Sequence, residues 1–151
     1  MPGRRACAQR RGQQDFAVAL PFDAVETDDR AEAAERYFAQ VYGLPWRGAT
    51  RPDEGDFFPE GDRRTFILDV KWTPRDTGRL VVYMRSRVKA DIYVLVVGRD
   101  WLRIAGWAWG FVVRQHVVDL GYGPCYAMTQ EQLQPSVDIL MATFGYVRRD
   151  R

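Results

Sequence analysis

One stretch, residues 65–72 with the sequence TFILDVKW, constrains the fold of this chain more than any other. Side chains alternate between the two faces of a β-strand, so this stretch has two unlike faces. The apolar face consists of Phe66, Leu68, Val70 and Trp72. The opposite face carries Asp69 and Lys71, with Ile67 and Thr65 behind them. The pattern predicts a strand that contributes to a hydrophobic core on one side and presents an acid and a base on the other.

The pair of Asp69 and Lys71 has two interpretations. An acid and a base on one face of a strand can form an ordinary ion pair on a half-solvated sheet. The same two groups, held at a set distance and direction, also suit metal-assisted phosphodiester chemistry. The strand alone favours the ion pair, so the rest of the chain must decide.

Composition limits the metal sites and the cellular location. The chain has 151 residues, enough for one domain with a real core, and a net charge of only +2. Its two cysteines and single histidine nearly exclude a site built from His and Cys, so that if the protein binds a metal, the ligands are oxygens and the metal is Mg²⁺ or Mn²⁺. No apolar run approaches the roughly 18 residues of a membrane span, and no apolar stretch follows the basic N-terminus. We therefore expect a cytoplasmic protein that does not bind membranes.

Three parts are expected along the chain. Residues 1–14 (MPGRRACAQRRGQQ) are basic and have little to bury, so they predict a disordered arm. Residues 15–147 form the single domain, and residues 148–151 form a polar tail.

The first predicted helix covers residues 29–42. Asp29 followed by Glu32 matches a capping box at its start, and Gly43 ends it. Its apolar stripe consists of Ala34, Tyr37, Phe38 and Val41, at spacings of three and four residues. Glu32 falls nearly opposite the stripe, whereas Glu35 falls on its margin and can look along the edge of the core into a neighbouring site. A surface acid that pairs locally remains an equal alternative for Glu35.

Several strands follow this helix. A short strand at residues 56–58 and the strand at 65–72 should form a hairpin, and residues 79–84 should pair with 65–72 as an antiparallel neighbour. Residues 91–97 are apolar on both faces and predict a strand in the middle of a covered sheet. A strand at 102–105, a short helix at 111–115 and an apolar terminal segment complete the domain. This order predicts an α/β fold of layered α+β type.

The acids of the hairpin are expected to meet. Asp56 opens one strand, Asp69 lies on the next, and Lys71 shares the face of Asp69. Carboxylates that converge repel each other, which raises their pKa values and makes a divalent cation a natural partner.

The ordered set of Asp56, the triplet Asp69-Val70-Lys71, the strand KADIYVLVVG and the Gly-Trp-rich segment IAGWAWG resembles the PD-(D/E)XK nuclease superfamily. It is similar to a small single-domain branch common in phages and their hosts, in which an early helix carries a glutamate. The likeness covers about residues 27–140. It implies a restriction-endonuclease-like core: a central mixed sheet flanked by helices, in the order α-β-β-β-(α)-β.

The resemblance also implies roles for individual residues. Asp56 and Asp69 would bind the metal, with help from the Val70 carbonyl, and Lys71 would act on the attacking water. Glu35 would complete the metal shell, with Glu32 as the alternative. The family's proline is Gly55 here, and a Pro52-Asp53 pair lies just upstream, so Asp53 competes with Asp56. We prefer Asp56 because it directly opens the apolar strand.

The expected activity is a Mg²⁺-dependent deoxyribonuclease, and the expected partner is DNA. A local basic cluster could contact phosphates, and a solvated strand edge is the comparable alternative. The cluster comprises Arg75, Arg79, Arg85, Arg87 and Lys89. Many nucleases of this kind act as dimers, so a homodimer is a further expectation. The alternative function is a nucleic-acid-binding or interaction protein that keeps the fold without catalysis.

Overall fold

The computed structural model of the protein describes residues 24–46, 55–86 and 88–150. The predicted basic arm at 1–14 lies outside these residues. So do Asp53, the competitor of Asp56, and Arg87 of the basic cluster. The described residues form a mixed α+β domain, as expected from the sequence.

The first sheet has three strands in the order β1-β3-β4. They are β1 (Leu68–Thr73), β3 (Ile92–Val97) and β4 (Arg103–Trp109). β1 runs parallel to β3, and β3 runs antiparallel to β4. All six residues of β3 are buried, which confirms the central, covered strand that the sequence predicted. The predicted strand at 102–105 is longer in the structure and continues to Trp109.

The second sheet is antiparallel and includes a strand whose pairing was predicted wrongly. It consists of β2 (Leu80–Val82), β5 (Val117–Asp119) and β6 (Pro124–Met128), in the order β2-β6-β5. The sequence predicted that residues 79–84 pair with β1, but β2 pairs with β6 instead. The physical reason is that both edges of β1 are already in use. One edge bonds to β3, and the other bonds to residues 56 and 57.

The predicted hairpin before β1 is present as two isolated antiparallel bridges. Phe57 bridges to Leu68, and Glu60 bridges to Thr65. Phe57 and Leu68 exchange both backbone hydrogen bonds, at 3.0 and 2.9 Å. The hairpin fixes Asp56 beside the edge of β1 that does not pair with β3.

Helix α1 spans Ala24–Tyr42 and ends, as predicted, at Gly43, which has a positive φ of 69°. The helix starts five residues before the predicted Asp29, so the capping box of Asp29 and Glu32 is wrong: both residues lie inside the helix. The predicted apolar stripe is confirmed, since Ala34, Phe38 and Val41 are buried and Tyr37 packs against them.

The two faces of the first sheet are covered by different layers. One face packs against α1 and against α3 (Val137–Thr143) through β1 residues such as Val70 and Trp72. The other face packs against the second sheet through residues such as Leu80, Leu95 and Met128. The expected flanking by helices is therefore right for one face only, because β2 and β6 supply the apolar surface that covers the other.

Two short elements complete the domain. The predicted helix at 111–115 appears as α2 (Gly110–Val113), and a 3₁₀ turn covers Gln130–Gln132. Across the described parts of the chain, no helix combines the length and apolar character needed to cross a membrane.

Candidate active site on strand β1

The ion pair of Asp69 and Lys71 forms the centre of the candidate site. The Lys71 Nζ atom lies 2.8 Å from an Asp69 carboxylate oxygen. The side chain of Asp69 is 8% exposed and that of Lys71 is 32% exposed, so the acid is buried and the base reaches towards solvent. As the alternation predicted, both point away from the core face that holds Leu68, Val70 and Trp72.

Asp56 joins this pair through the backbone of β1. Its carboxylate accepts a 2.7 Å hydrogen bond from the Val70 N–H. The backbone N–H groups of Asp56 and Phe57 both donate to the Leu68 carbonyl, so the partner segment leaves the ladder at this point. The Asp56 side chain thus replaces the backbone acceptor that a longer partner strand would have offered to Val70.

The same register brings Asp56 close to Asp69. Phe57 lies opposite Leu68, and the Asp56 carboxylate bonds to the N–H of Val70, the residue that follows Asp69. Burial raises the pKa of Asp56 well above its ordinary value, and repulsion from Asp69 and then from Glu35 raises it further. The bond from Val70 and the charge of Lys71 oppose these effects without cancelling them.

Glu35 enters the site from α1. Burial, followed by repulsion from Asp69, raises the pKa of Glu35 from its ordinary 4.5 to about 7. The charge of Lys71 lowers it, while Glu32 adds only a smaller repulsion. Glu35 is therefore close enough to Asp69 and Lys71 to feel both charges, although α1 itself packs on the face of β1 that holds Val70 and Trp72. Glu32 is one turn earlier on the helix.

Lys71 responds to the same acids in the opposite direction. Burial alone would lower the pKa of Lys71, but its pairing with Asp69 and the charge of Asp56 raise it. Tyr93 lies opposite Asp69 in the parallel register of β1 and β3, and burial and the Asp69 charge raise its pKa. Three acids, one lysine and one tyrosine thus share a single electrostatic environment.

The Val70 carbonyl lies at the edge of β1 that faces Asp56. The carbonyls of Ile67 and Thr73 accept hydrogen bonds from the chain around β3, so the odd-numbered residues of β1 direct their backbone groups to that side. In a parallel ladder the even-numbered residues then direct theirs to the opposite edge, where Asp56 bonds to the Val70 N–H. The backbone oxygen of Val70 is therefore placed beside the carboxylates.

The acids do not form a preassembled metal cluster. Among the described residues, no three Asp, Glu, His or Cys side chains are grouped closely enough to hold an ion as they stand. The geometry brings Glu35, Asp56, Asp69 and Lys71 into electrostatic contact but leaves the Lys71 ammonium as the immediate partner of Asp69.

The predicted basic residues are split between two segments. Arg75 and Arg79 precede β2, whereas Arg85 and Lys89 follow it. Arg75, Arg85 and Lys89 are exposed, and Arg79 is half-buried. Because β2 lies between the two pairs of basic residues, the four residues do not belong to one continuous segment beside β1.

Two residues of the site gave no signal in the sequence. Trp46 follows the end of α1, and its indole Nε1 atom is buried near Glu35 without a hydrogen-bond partner in the described part of the chain. In the sequence, Tyr93 is one of several buried residues of β3 and nothing distinguishes it from its neighbours. It lies opposite Asp69 because β1 and β3 pair in parallel. Knowledge of that pairing would have identified Tyr93.

No protein-family model, curated protein or solved structure matches this chain. An assignment of function therefore depends on the chemistry of the site and on the fold that holds it.

Proposed function

We propose that this protein is a metal-dependent nuclease that hydrolyses phosphodiester bonds in DNA. The observation that carries the proposal is that Asp56, Asp69, Glu35 and Lys71, from three separate segments, interact electrostatically with one another around β1.

A purely structural role for the Asp69–Lys71 pair does not account for the other acids. One lysine balances one carboxylate, yet two further carboxylates are held in the same partly desolvated environment, and each has a raised pKa. Crowding like charges away from water lowers stability unless a cation or a proton compensates. Three carboxylates in this environment are explained if they bind a positively charged ligand.

The oxygen donors of the site are of the kind that Mg²⁺ and Mn²⁺ prefer, although the side chains would have to move closer together to hold an ion. We infer that Asp56, Asp69, Glu35 and the Val70 carbonyl would hold the ion, since these hard oxygen donors are the ones both metals prefer. A bound divalent ion would polarise the phosphodiester and supply an activated water. Its charge would also relieve the repulsion among the three carboxylates.

Lys71 would act as a fixed cation beside the reacting phosphate. Its raised pKa means that it keeps its proton near neutral pH, so it is suited to orient the attacking water and to balance charge that develops in the transition state. Asp69 fixes the direction of the Lys71 side chain through the 2.8 Å ion pair. Asp56 is in turn fixed by the Val70 N–H, which limits how far the carboxylates can separate.

The proposal extends to the fold. A helix with an inward glutamate, a hairpin with Asp56 and then Asp69-Val70-Lys71, and a parallel buried strand follow the order expected of a restriction-endonuclease-like core. The mixed sheet β1-β3-β4 supports this assignment.

The test is cleavage of a panel of nucleic acids with Mg²⁺, Mn²⁺ or EDTA. The panel contains supercoiled plasmid, linear duplex, single-stranded DNA, branched DNA and RNA. Asp69→Asn and Lys71→Met are the test variants, chosen to keep side-chain volume. Asp76→Asn is the matched control, because Asp76 is an exposed acid that pairs with Arg103 on the surface. We expect metal-dependent cleavage that falls at least about 100-fold in both test variants and is unchanged in the control.

A second measurement does not depend on cleavage. Mg²⁺ should raise the melting temperature of the wild-type protein, because a ligand that binds only the folded state stabilises it. The effect should be smaller in Asp69→Asn. If no substrate is cut, while salt-sensitive DNA binding is the same in wild type and both variants, the non-catalytic binding protein becomes the better assignment.

A further inference from the structure

The ring of Phe111, the second residue of α2, is exposed to solvent and supported from behind by other aromatic rings. Phe111 is 61% exposed. Its ring stacks on that of Trp109, with the ring centroids 6.5 Å apart and the ring planes inclined by 20°. Trp109 in turn contacts the rings of Phe66 and Trp107, at centroid distances of 6.4 and 5.2 Å. A row of rings thus begins in the aromatic packing of the domain and ends at a ring that is open to solvent.

The backbone at Gly110 fixes the position of Phe111. The Gly110 N–H donates a 2.7 Å hydrogen bond to the Asp91 carbonyl. A Cβ atom added at Gly110 would lie only 2.0 Å from the Ala90 carbonyl oxygen, so the end of β4 packs directly against the segment that leads into β3. A ring held in this way loses little conformational freedom when it binds a ligand.

Cationic side chains lie around the same segment. The Arg64 Nη2 atom bonds to the Asp91 carboxylate at 2.9 Å, and the Arg64 guanidinium carbon lies 4.3 Å from the centre of the Phe66 ring. The Arg64 side chain is still 57% exposed. Lys89, two residues before Asp91, is also exposed. The surface around Phe111 therefore combines an exposed ring with positive charge.

A ring and cations in this arrangement match an unpaired strand of nucleic acid. Unpaired bases stack on exposed aromatic side chains, while nearby cations contact the phosphates of the strand. A base inside a duplex is already stacked on its neighbours, so the ring has no free base face to cover there. An unpaired base has such a face, and covering the ring also removes its apolar area from water.

We propose that Phe111 binds an unpaired nucleobase by stacking and that Lys89 contacts a phosphate of the same strand. The inference rests on the proposed function, because it takes the ligand to be a nucleic acid, and it gives the substrate class as DNA with unpaired nucleotides, such as a single strand or a branched junction. Asp91 also accepts a hydrogen bond from the N–H of Ile67, which directly precedes β1. The base would therefore lie at the end of the sheet where β1 begins, outside the group of acids itself.

The test is binding of fluorescein-labelled strands, measured by anisotropy in EDTA over a series of salt concentrations. The strands are oligothymidylate, a DNA duplex of the same length and a strand of the same length made of abasic deoxyribose phosphates. The variants are Phe111→Ala, Phe111→Trp, which keeps a flat ring, and Lys89→Gln. Trp101→Ala is the matched control, because Trp101 is an 87% exposed ring at the other end of β4. Circular dichroism and melting temperature establish that each variant is folded.

We expect Phe111→Ala to weaken binding of oligothymidylate about 5- to 150-fold, the effect of losing one stacked base, and Phe111→Trp to retain the affinity. Binding of the duplex and of the abasic strand should stay within about twofold of wild type in Phe111→Ala, since neither offers a free base face. The slope of log affinity for oligothymidylate against log salt should be unchanged in Phe111→Ala. It should fall by about 0.7 in Lys89→Gln, the value for one lost phosphate contact on a single strand. Trp101→Ala should match wild type on all three strands.

A folded Phe111→Ala protein that binds oligothymidylate as tightly as wild type overturns the inference. So does an equal loss of affinity for oligothymidylate and for the abasic strand, or a wild-type protein that binds no single strand. The outcome is separate from that of the nuclease proposal. If Phe111→Ala loses affinity for oligothymidylate alone while wild type cuts no substrate, the base contact stands and the proposed catalysis does not. If wild type cuts DNA with Mg²⁺ while Phe111→Ala binds every strand as wild type does, the reverse holds.

Discussion

The substitution Glu35→Gln tests the acid cluster without any assay of activity. The pKa of Glu35 is raised from 4.5 to about 7 in the folded protein, by burial and by repulsion from Asp69. Between these two pH values the folded protein holds a proton that the unfolded chain has released. Stability therefore falls as pH rises through this interval. At 1.36 kcal/mol per pH unit, the interval between 4.5 and about 7 corresponds to about 3 kcal/mol.

Glutamine has nearly the same shape as glutamate and cannot ionise, so Glu35→Gln should escape this loss. In EDTA we expect the free energy of unfolding of the variant, relative to wild type, to rise by about 3 kcal/mol between pH 5 and pH 8. For a domain of this size that difference corresponds to about 6–12 °C in melting temperature. Urea unfolding at several pH values measures it directly.

Glu32→Gln is the matched control, because it removes a carboxylate from the same helix, one turn earlier, and that carboxylate contributes only a minor repulsion to Glu35. Its pH dependence should stay close to that of wild type. If wild type and Glu35→Gln have parallel stability curves from pH 5 to pH 8, the pKa of Glu35 is not raised by burial and by Asp69, and the reasoning about the cluster is wrong. Addition of Mg²⁺ at pH 8 should stabilise wild type more than Glu35→Gln, since the ion would replace the missing proton.

Two further predictions concern the packing that supports the site. Phe38 is fully buried, with ring centroids 5.2 Å from Tyr42 and 5.6 Å from Phe57, so Phe38→Ala should cost about 3–5 kcal/mol in urea unfolding. Trp101→Ala, at a ring that is 87% exposed, should change the same quantity by less than about 0.5 kcal/mol. Tyr42→Phe should cost about 1 kcal/mol because it removes the 2.5 Å hydrogen bond from the Tyr42 hydroxyl to Asp138, and an unchanged unfolding free energy would contradict this role.

Local patterns in the sequence predicted several elements correctly. Alternation assigned Leu68, Val70 and Trp72 to the core and Asp69 to the opposite face, and the structure confirms both. The apolar stripe with a 3.6-residue period correctly predicted the buried face of α1. The predicted first residue of the helix was wrong, because Asp29 has the sequence of a capping residue but lies inside the helix. These features depend only on backbone geometry within one segment, so they can be predicted from the sequence of that segment.

Pairing between distant segments was decided only by the tertiary structure. The short turn after β1 suggested an antiparallel partner in residues 79–84, yet β1 pairs in parallel with β3, and β2 pairs with β6. Both candidate partners of β1 are apolar strands, and local pattern does not rank them. The hairpin with Phe57 leaves β1 one free edge, β3 occupies it, and β2 pairs with β6 instead.

Some features of the candidate site were likewise predicted from the sequence, and others were decided only by the tertiary structure. The sequence by itself determined the spacing of Asp56, Asp69 and Lys71, because one hairpin carries all three. The approach of Glu35 and the position of Tyr93 opposite Asp69 depend on contacts between segments far apart in the chain. Burial and mutual repulsion raise the pKa values of Glu35 and Asp56 only after those segments have packed together, so the electrostatics of the site are a property of the tertiary structure.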